Sequence, residues 1–140
     1  MPDALEIMDL FQSLLFDLKG EFRKSIEQSD IPVAPMLGRL LKLIGRRPGI
    51  TQQDIVVFTR RDKAQVARLV KELLAQDLVR REQDKTDKRA YRLYLLPQGE
   101  EIAARIRDMQ ARVADQFLSN LSAKEMSLLE NLLKKIQPGA

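Results

Sequence analysis

Residues 62–95 read DKAQVARLVKELLAQDLVRREQDKTDKRAYRLYL, and the order of patterns in this stretch decides the fold. Asp62 is an N-cap acid with Gln65 at the third helical position, which opens a helix running to about Gln76. Val66, Leu69, Val70, Leu73 and Leu74 form its apolar stripe, leaving Lys63, Ala64, Gln65, Arg68, Lys71 and Glu72 on the other side. Leu78–Arg81 and Tyr91–Leu95 read as two strands. In the second, Tyr91, Leu93 and Leu95 alternate onto one face and Arg92 and Tyr94 onto the other. Between them lies a polar loop, with seven charged side chains among the nine residues 81–89.

Toward the N-terminus, Thr51-Gln52-Gln53-Asp54 is a capping-box variant ahead of Ile55-Val56-Val57-Phe58, so a short helix stands in tandem with the one at 62–76. A further helix carries Met36, Leu37, Leu40, Leu41 and Ile44 and ends before Arg47-Pro48-Gly49. Prolines 32 and 35 separate it from a long amphipathic helix at roughly 3–28, built on Leu5, Met8, Phe11, Leu15, Leu18, Phe22 and Ile26. Toward the C-terminus, Pro97 suits a first helical position, and Ile102, Ile106, Met109, Val113, Phe117 and Leu121 line the helix after it. Ser122-Ala123-Lys124-Glu125 is another capping box and starts a last helix through Ile136. A helix-turn-helix followed at once by a β-hairpin is a winged helix. The expected fold is therefore mainly α with a small β-hairpin wing, in one domain over 1–140. The winged region occupies 33–96, and long helices at 3–30 and 97–137 carry more apolar surface than a monomer can cover. A symmetric homodimer is the economical way to bury them.

Composition narrows the function. Of 140 residues, 44% are hydrophobic and 31% charged, and no run approaches the length a membrane span needs, so no membrane is an expected partner. The N-terminus carries acids where a signal peptide carries basic residues, which points to a cytoplasmic protein. Cys and His are both absent, which removes thiol nucleophiles, most zinc sites and the usual general base. With no paired acids at a suggestive spacing and no glycine-rich phosphate loop, no catalytic residue, metal or cofactor is expected. The formal charge of +4 is unevenly spread: residues 46–92 hold 13 Lys/Arg against 7 Asp/Glu, and the rest of the chain 11 against 13. A basic middle between slightly acidic ends outlines a nucleic-acid contact, although charge alone is equally compatible with a solvated surface. Position is what favours the former. The basic face at 63–72 has the composition of a recognition helix, and the charged loop sits where a wing can follow phosphates or enter the minor groove.

These elements, in this order, resemble the MarR family of transcription regulators over nearly the whole chain. Asp87-Lys88-Arg89 is similar to that family's Asp-x-Arg in the wing, with Gly99 four residues after Leu95 as in its Leu-Thr-x-x-Gly. Pro48–Ile55 and Leu121–Glu125 are similar to its entries into the first helix of the motif and the last helix. The resemblance implies double-stranded DNA with a pseudo-palindromic operator as partner, a homodimer, and a small aromatic or amphipathic effector. It places Arg89 in the minor groove with Asp87 orienting nearby basic groups, and the expected DNA-binding set is Arg61, Lys63, Gln65, Arg68, Lys71, Lys85, Asp87, Lys88 and Arg89. The chain departs from the pattern at Ala67, where a hydroxyl usually precedes the arginine, at Asp77 in place of a capping glycine, and at Leu96 in place of a threonine N-cap. The expected role is a repressor. The alternatives are a winged helix used only to bind protein, and an enzyme or small-molecule carrier unconnected with DNA.

Overall fold

The computed structural model of the chain describes residues 1–138. Helix α1 (Ala4–Glu27) begins at Asp3, whose carboxylate accepts from the Leu5 N–H at 3.3 Å. It stops where Ser29 folds back, its hydroxyl donating to the Ile26 carbonyl at 2.7 Å. Pro35 is the first residue of α2 (Pro35–Arg46), where its missing N–H costs nothing. Two residues, Ile50–Thr51, form β1, and α3 (Gln52–Thr59) follows directly. The expected capping box is complete there: Thr51 Oγ1 accepts from the Asp54 N–H and Asp54 Oδ2 accepts from the Thr51 N–H, both at 3.1 Å.

After a turn at Arg60–Asp62 comes α4 (Lys63–Ala75), then β2 (Val79–Gln83), β3 (Tyr91–Leu95), α5 (Pro97–Phe117) and α6 (Ala123–Lys135). Asp62 is the N-cap of α4, but its side chain makes no capping hydrogen bond, contrary to the expected box with Gln65. The C-terminal end of α4 is better defined. Asp77 adopts a left-handed φ of 56°, the Asp77 N–H donates to the Leu74 carbonyl, and the Leu78 N–H reaches back to that of Leu73, both at 3.1 Å. This pair of bonds is a Schellman cap, and its usual apolar contact is supplied by Leu73 and Leu78, both buried.

The sheet has three antiparallel strands in the order β1-β3-β2, not the two expected. Leu93 of the central strand lies opposite Ile50 on one side and Arg81 on the other. The β2 strand also runs two residues beyond the expected Arg81. The core gathers Leu40, Leu41 and Ile44 of α2, Ile55 of α3, Val66 and Leu73 of α4, Leu93 of β3 and Ile106 of α5. Each such side chain contributes about 1.5–3 kcal/mol of burial, so the winged unit and the first half of α5 form one body. Leu69 and Leu74 pack only at its margin. Helix α5 ends at Phe117, short of Leu121, because Ser119 turns back to the Gln116 carbonyl and Ser122 then caps α6. In α1 only Ile26 is buried, and in α6 no residue is.

Candidate nucleic-acid interface

The α4 helix buries Val66, Val70 and Leu73, and this fixes which residues point outward. Lys63, Arg68 and Lys71 are exposed, whereas Gln65 and Arg61 are half-buried. The amide expected to stand free for base contact is therefore partly held against the protein. The wing loop presents Lys85, Asp87, Lys88 and Arg89 to solvent, with the Arg89 side chain 96% exposed.

A groove of about 730 Å³ runs between α3, α4, the wing loop and β3. Lys63, Asp87 and Arg89 line it, together with Gln52, Gln53 and Arg81. The structure thus brings the first residue of α4 and the wing to one surface. Gln65, Arg68, Lys71, Lys85 and Lys88 lie outside the groove, as does Arg61.

Order in the wing comes from acids rather than bases. Asp84 Oδ2 accepts from the Asp87 N–H at 2.9 Å and from the Thr86 hydroxyl at 2.7 Å, while Asp84 Oδ1 accepts from Arg92 Nε at 2.7 Å. The backbone hydrogen bond from Asp87, then the Thr86 hydroxyl and then Arg92 hold the Asp84 carboxyl well below the usual carboxylate range. Asp87 repeats the device on a smaller scale: its Oδ1 accepts from the Arg89 N–H at 3.0 Å, with Arg89 Nε at 3.7 Å. The Gln83 amide donates to the Lys88 carbonyl at 2.7 Å and closes the loop from the strand side. Arg81 lies over the Tyr91 ring, 4.7 Å from its centre, and Arg80 over that of Tyr94 at 4.4 Å.

Asp84, Arg92, Arg81, Gln52 and Gln53 were not among the residues expected from sequence. For Asp84 a signal exists, since Asp-x-Thr-Asp is a composition that folds onto its own backbone. A second cavity, of about 550 Å³, lies between α2, β3 and α5, lined by Lys42, Arg80, Arg107 and Glu100 together with the apolar Ile44 and Leu95. Burial and the neighbouring Arg46 and Arg107 charges lower the Lys42 pKa. Among the described residues no group of three or more carboxylates could hold a metal ion, and no helix is long and apolar enough to cross a membrane.

The sequence profile of the MarR family matches residues 34–90. The transcriptional regulator HosA of Escherichia coli is 32% identical over 97 residues, which cover 69% of this chain and 72% of HosA. Two solved structures share the fold. Streptococcus pneumoniae FabT in complex with DNA has a TM-score of 0.78 at 15% identity, over 95% of this chain and 94% of FabT. Wild-type MarR from E. coli, in its apo form, also has a TM-score of 0.78, at 19% identity over 99% of each chain.

Proposed function

The chain belongs to the MarR family of transcriptional regulators, and from that membership we propose that it is a homodimeric repressor, cytoplasmic, that occupies a pseudo-palindromic operator and leaves it when a small effector binds. The observation that carries this reading is the groove where Lys63 of α4 and Arg89 of the wing line one surface. In such a site Lys63, Lys71, Lys85 and Lys88 meet phosphates, Arg68 and Gln65 reach base edges in the major groove, and Arg89 enters the adjacent minor groove. Gln65 must turn out of its half-buried position to do so. That FabT has been solved with DNA on the same fold supports the assignment.

The dimer follows from the exposed apolar side chains of α1 and α6, among them Leu10, Phe16, Leu128 and Leu132. The effector is read from the second cavity, where three cations, Lys42, Arg80 and Arg107, outnumber the one acid, Glu100, beside apolar Ile44 and Leu95, a lining that suits a small amphipathic acid. Because the cavity borders both β3 and α5, a ligand there would bear on the angle between the wing and the dimer helices.

Genomic fragments selected on the purified protein and sequenced test the reading. The expected outcome is a recurring dyad with half-sites about 10 base pairs apart, bound with an affinity that falls linearly in log salt. Recovery of no common site, with no duplex bound even at low salt, would leave a protein-interaction module instead.

A further inference from the structure

An acid that faces a polyanion opposes binding, so Asp84 needs a reason to be in the wing. Its side chain is only 12% exposed, and its two oxygens accept three hydrogen bonds, from Arg92, Thr86 and the Asp87 backbone. Arg92 in turn is occupied on both sides. Its Nε serves Asp84, and its Nη1 donates to the Gly49 carbonyl at 2.9 Å, 43 positions away in sequence. Gly49 belongs to the turn between α2 and β1, immediately before α3, and its own N–H donates to the Leu93 carbonyl at 2.9 Å. Since Arg92 lies on the central strand, opposite Glu82 of β2 and Thr51 of β1, the chain of contacts runs from the wing loop across the sheet to the start of the helix-turn-helix.

We propose that Asp84 and Arg92 are positioning residues for DNA recognition: together they fix the shape of the loop 84–90 and its placement relative to α3, so that Arg89 is presented at a set distance from α4. This rests on the reading of the wing as a DNA contact. The local chain of bonds is continuous, because the Asp87 amide held by Asp84 belongs to the residue whose carboxylate holds the Arg89 amide. Among the described residues the Arg89 side chain meets no partner but Asp87, so its direction is set by the loop beneath it. With two of its three guanidinium nitrogens already engaged by Asp84 and Gly49, Arg92 is better suited to bridging the protein than to gripping a phosphate.

The sign of one substitution separates positioning from charge. Asp84→Asn removes a negative charge from a surface meeting phosphates, and on electrostatics alone it tightens binding. If Asp84 positions the wing, the same change weakens binding to the selected operator, by about tenfold for a loss on the scale of one charge-assisted contact. The salt slope stays as in the wild type, since every cation remains. The experiment measures operator affinity of the full chain between about 50 and 200 mM salt for Asp84→Asn, Arg92→Lys, Arg89→Ala and the double variant Asp84→Asn/Arg89→Ala. Amide exchange at residues 84–90 is followed beside that of Leu73 and Leu93 in the core. Expected are weaker binding and faster exchange at Asp87 and Arg89 in Asp84→Asn and in Arg92→Lys, unchanged exchange in the core, and no further loss when Asp84→Asn is added to Arg89→Ala. Wild-type or tighter binding by Asp84→Asn, beside a weakened Arg89→Ala, overturns the positioning role alone. Wild-type binding by Arg89→Ala overturns the DNA reading of the wing and the positioning role with it.

Discussion

Asp77 occupies a backbone conformation that side chains other than those of Gly, Asn and Asp seldom adopt, because the Cβ crowds the following carbonyl. The chain must leave α4 and enter β2 within three residues, and the Schellman cap achieves this only with Asp77 left-handed. Asp77→Gly removes the crowding and loosens the unfolded chain, so the two effects oppose each other. A net gain of up to about 1 kcal/mol, or a rise in Tm of about 3 °C, is expected in thermal unfolding. Asp77→Val, β-branched at the same φ, should lower Tm. Asp84 makes a second prediction at this scale. Its carboxyl is held below the usual range, first by the Asp87 backbone hydrogen bond, then by Thr86 and Arg92. A depressed folded pKa contributes stability that is present above the unfolded value and lost as pH falls through the folded one. Protection of the Asp87 amide should therefore persist down to about pH 4, the ordinary carboxylate pKa, and fail only in stronger acid. Protection that collapses near pH 5 would contradict the network.

Between the elements, one joint ties the end of α4 to the start of α5. The Leu78 N–H caps α4, its carbonyl accepts from the Leu96 N–H at 2.9 Å where α5 begins, and Gly99 in the first turn of α5 packs against that carbonyl. A Cβ at Gly99 would run into the Leu78 oxygen, which is backbone and cannot rotate away. Gly99→Ala should then cost about 1–3 kcal/mol in urea unfolding, the scale of an overpacked site; a variant as stable as the wild type would show that α5 tilts freely. What the sequence disclosed of these elements follows from range. The Thr51 and Ser122 capping boxes join residues three apart, and both are present as written in the pattern. The apolar periods of α1, α2 and α4 likewise gave the helices. β1 has two residues and so no alternation to read, and the Asp62 cap depended on a side-chain rotamer that no spacing encodes. The Arg92 bonds to Asp84 and Gly49, eight and 43 positions away, follow from sheet register, which pairs residues that are distant in sequence. The exposure of Lys63, Arg68, Lys71, Lys85, Lys88 and Arg89 was thus legible in the sequence, while the long-range partner of Asp84 was not.

On the scale of the molecule, the outer helices remain to be explained. A helix of 13 residues is marginal in water on its own, yet α6 buries no side chain within the chain and leaves Met126, Leu128, Leu132, Leu133 and Ile136 exposed. The N-terminal half of α1 is apolar on more than one side, with Leu5, Ile7, Met8, Leu10, Leu14, Leu15 and Phe16 all exposed. So much exposed apolar surface on two helices calls for a covering surface. If a second copy supplies that surface, Leu132, 47% exposed in the single chain, becomes buried in the pair. Leu132→Glu then leaves a charge without a partner on the apolar interface, at a cost of several kcal/mol, whereas in a monomer it merely meets water. Sedimentation should show the variant shifted toward the monomer. Its operator affinity should fall by about 10²–10⁴, because each winged unit must then hold its half-site without the effective concentration that the dimer provides. Amide exchange at Leu41, Ile55 and Leu93 should remain slow, since these side chains belong to the core of the winged unit. A Leu132→Glu protein that sediments as the wild type does and binds the operator as tightly would place the dimer contact elsewhere.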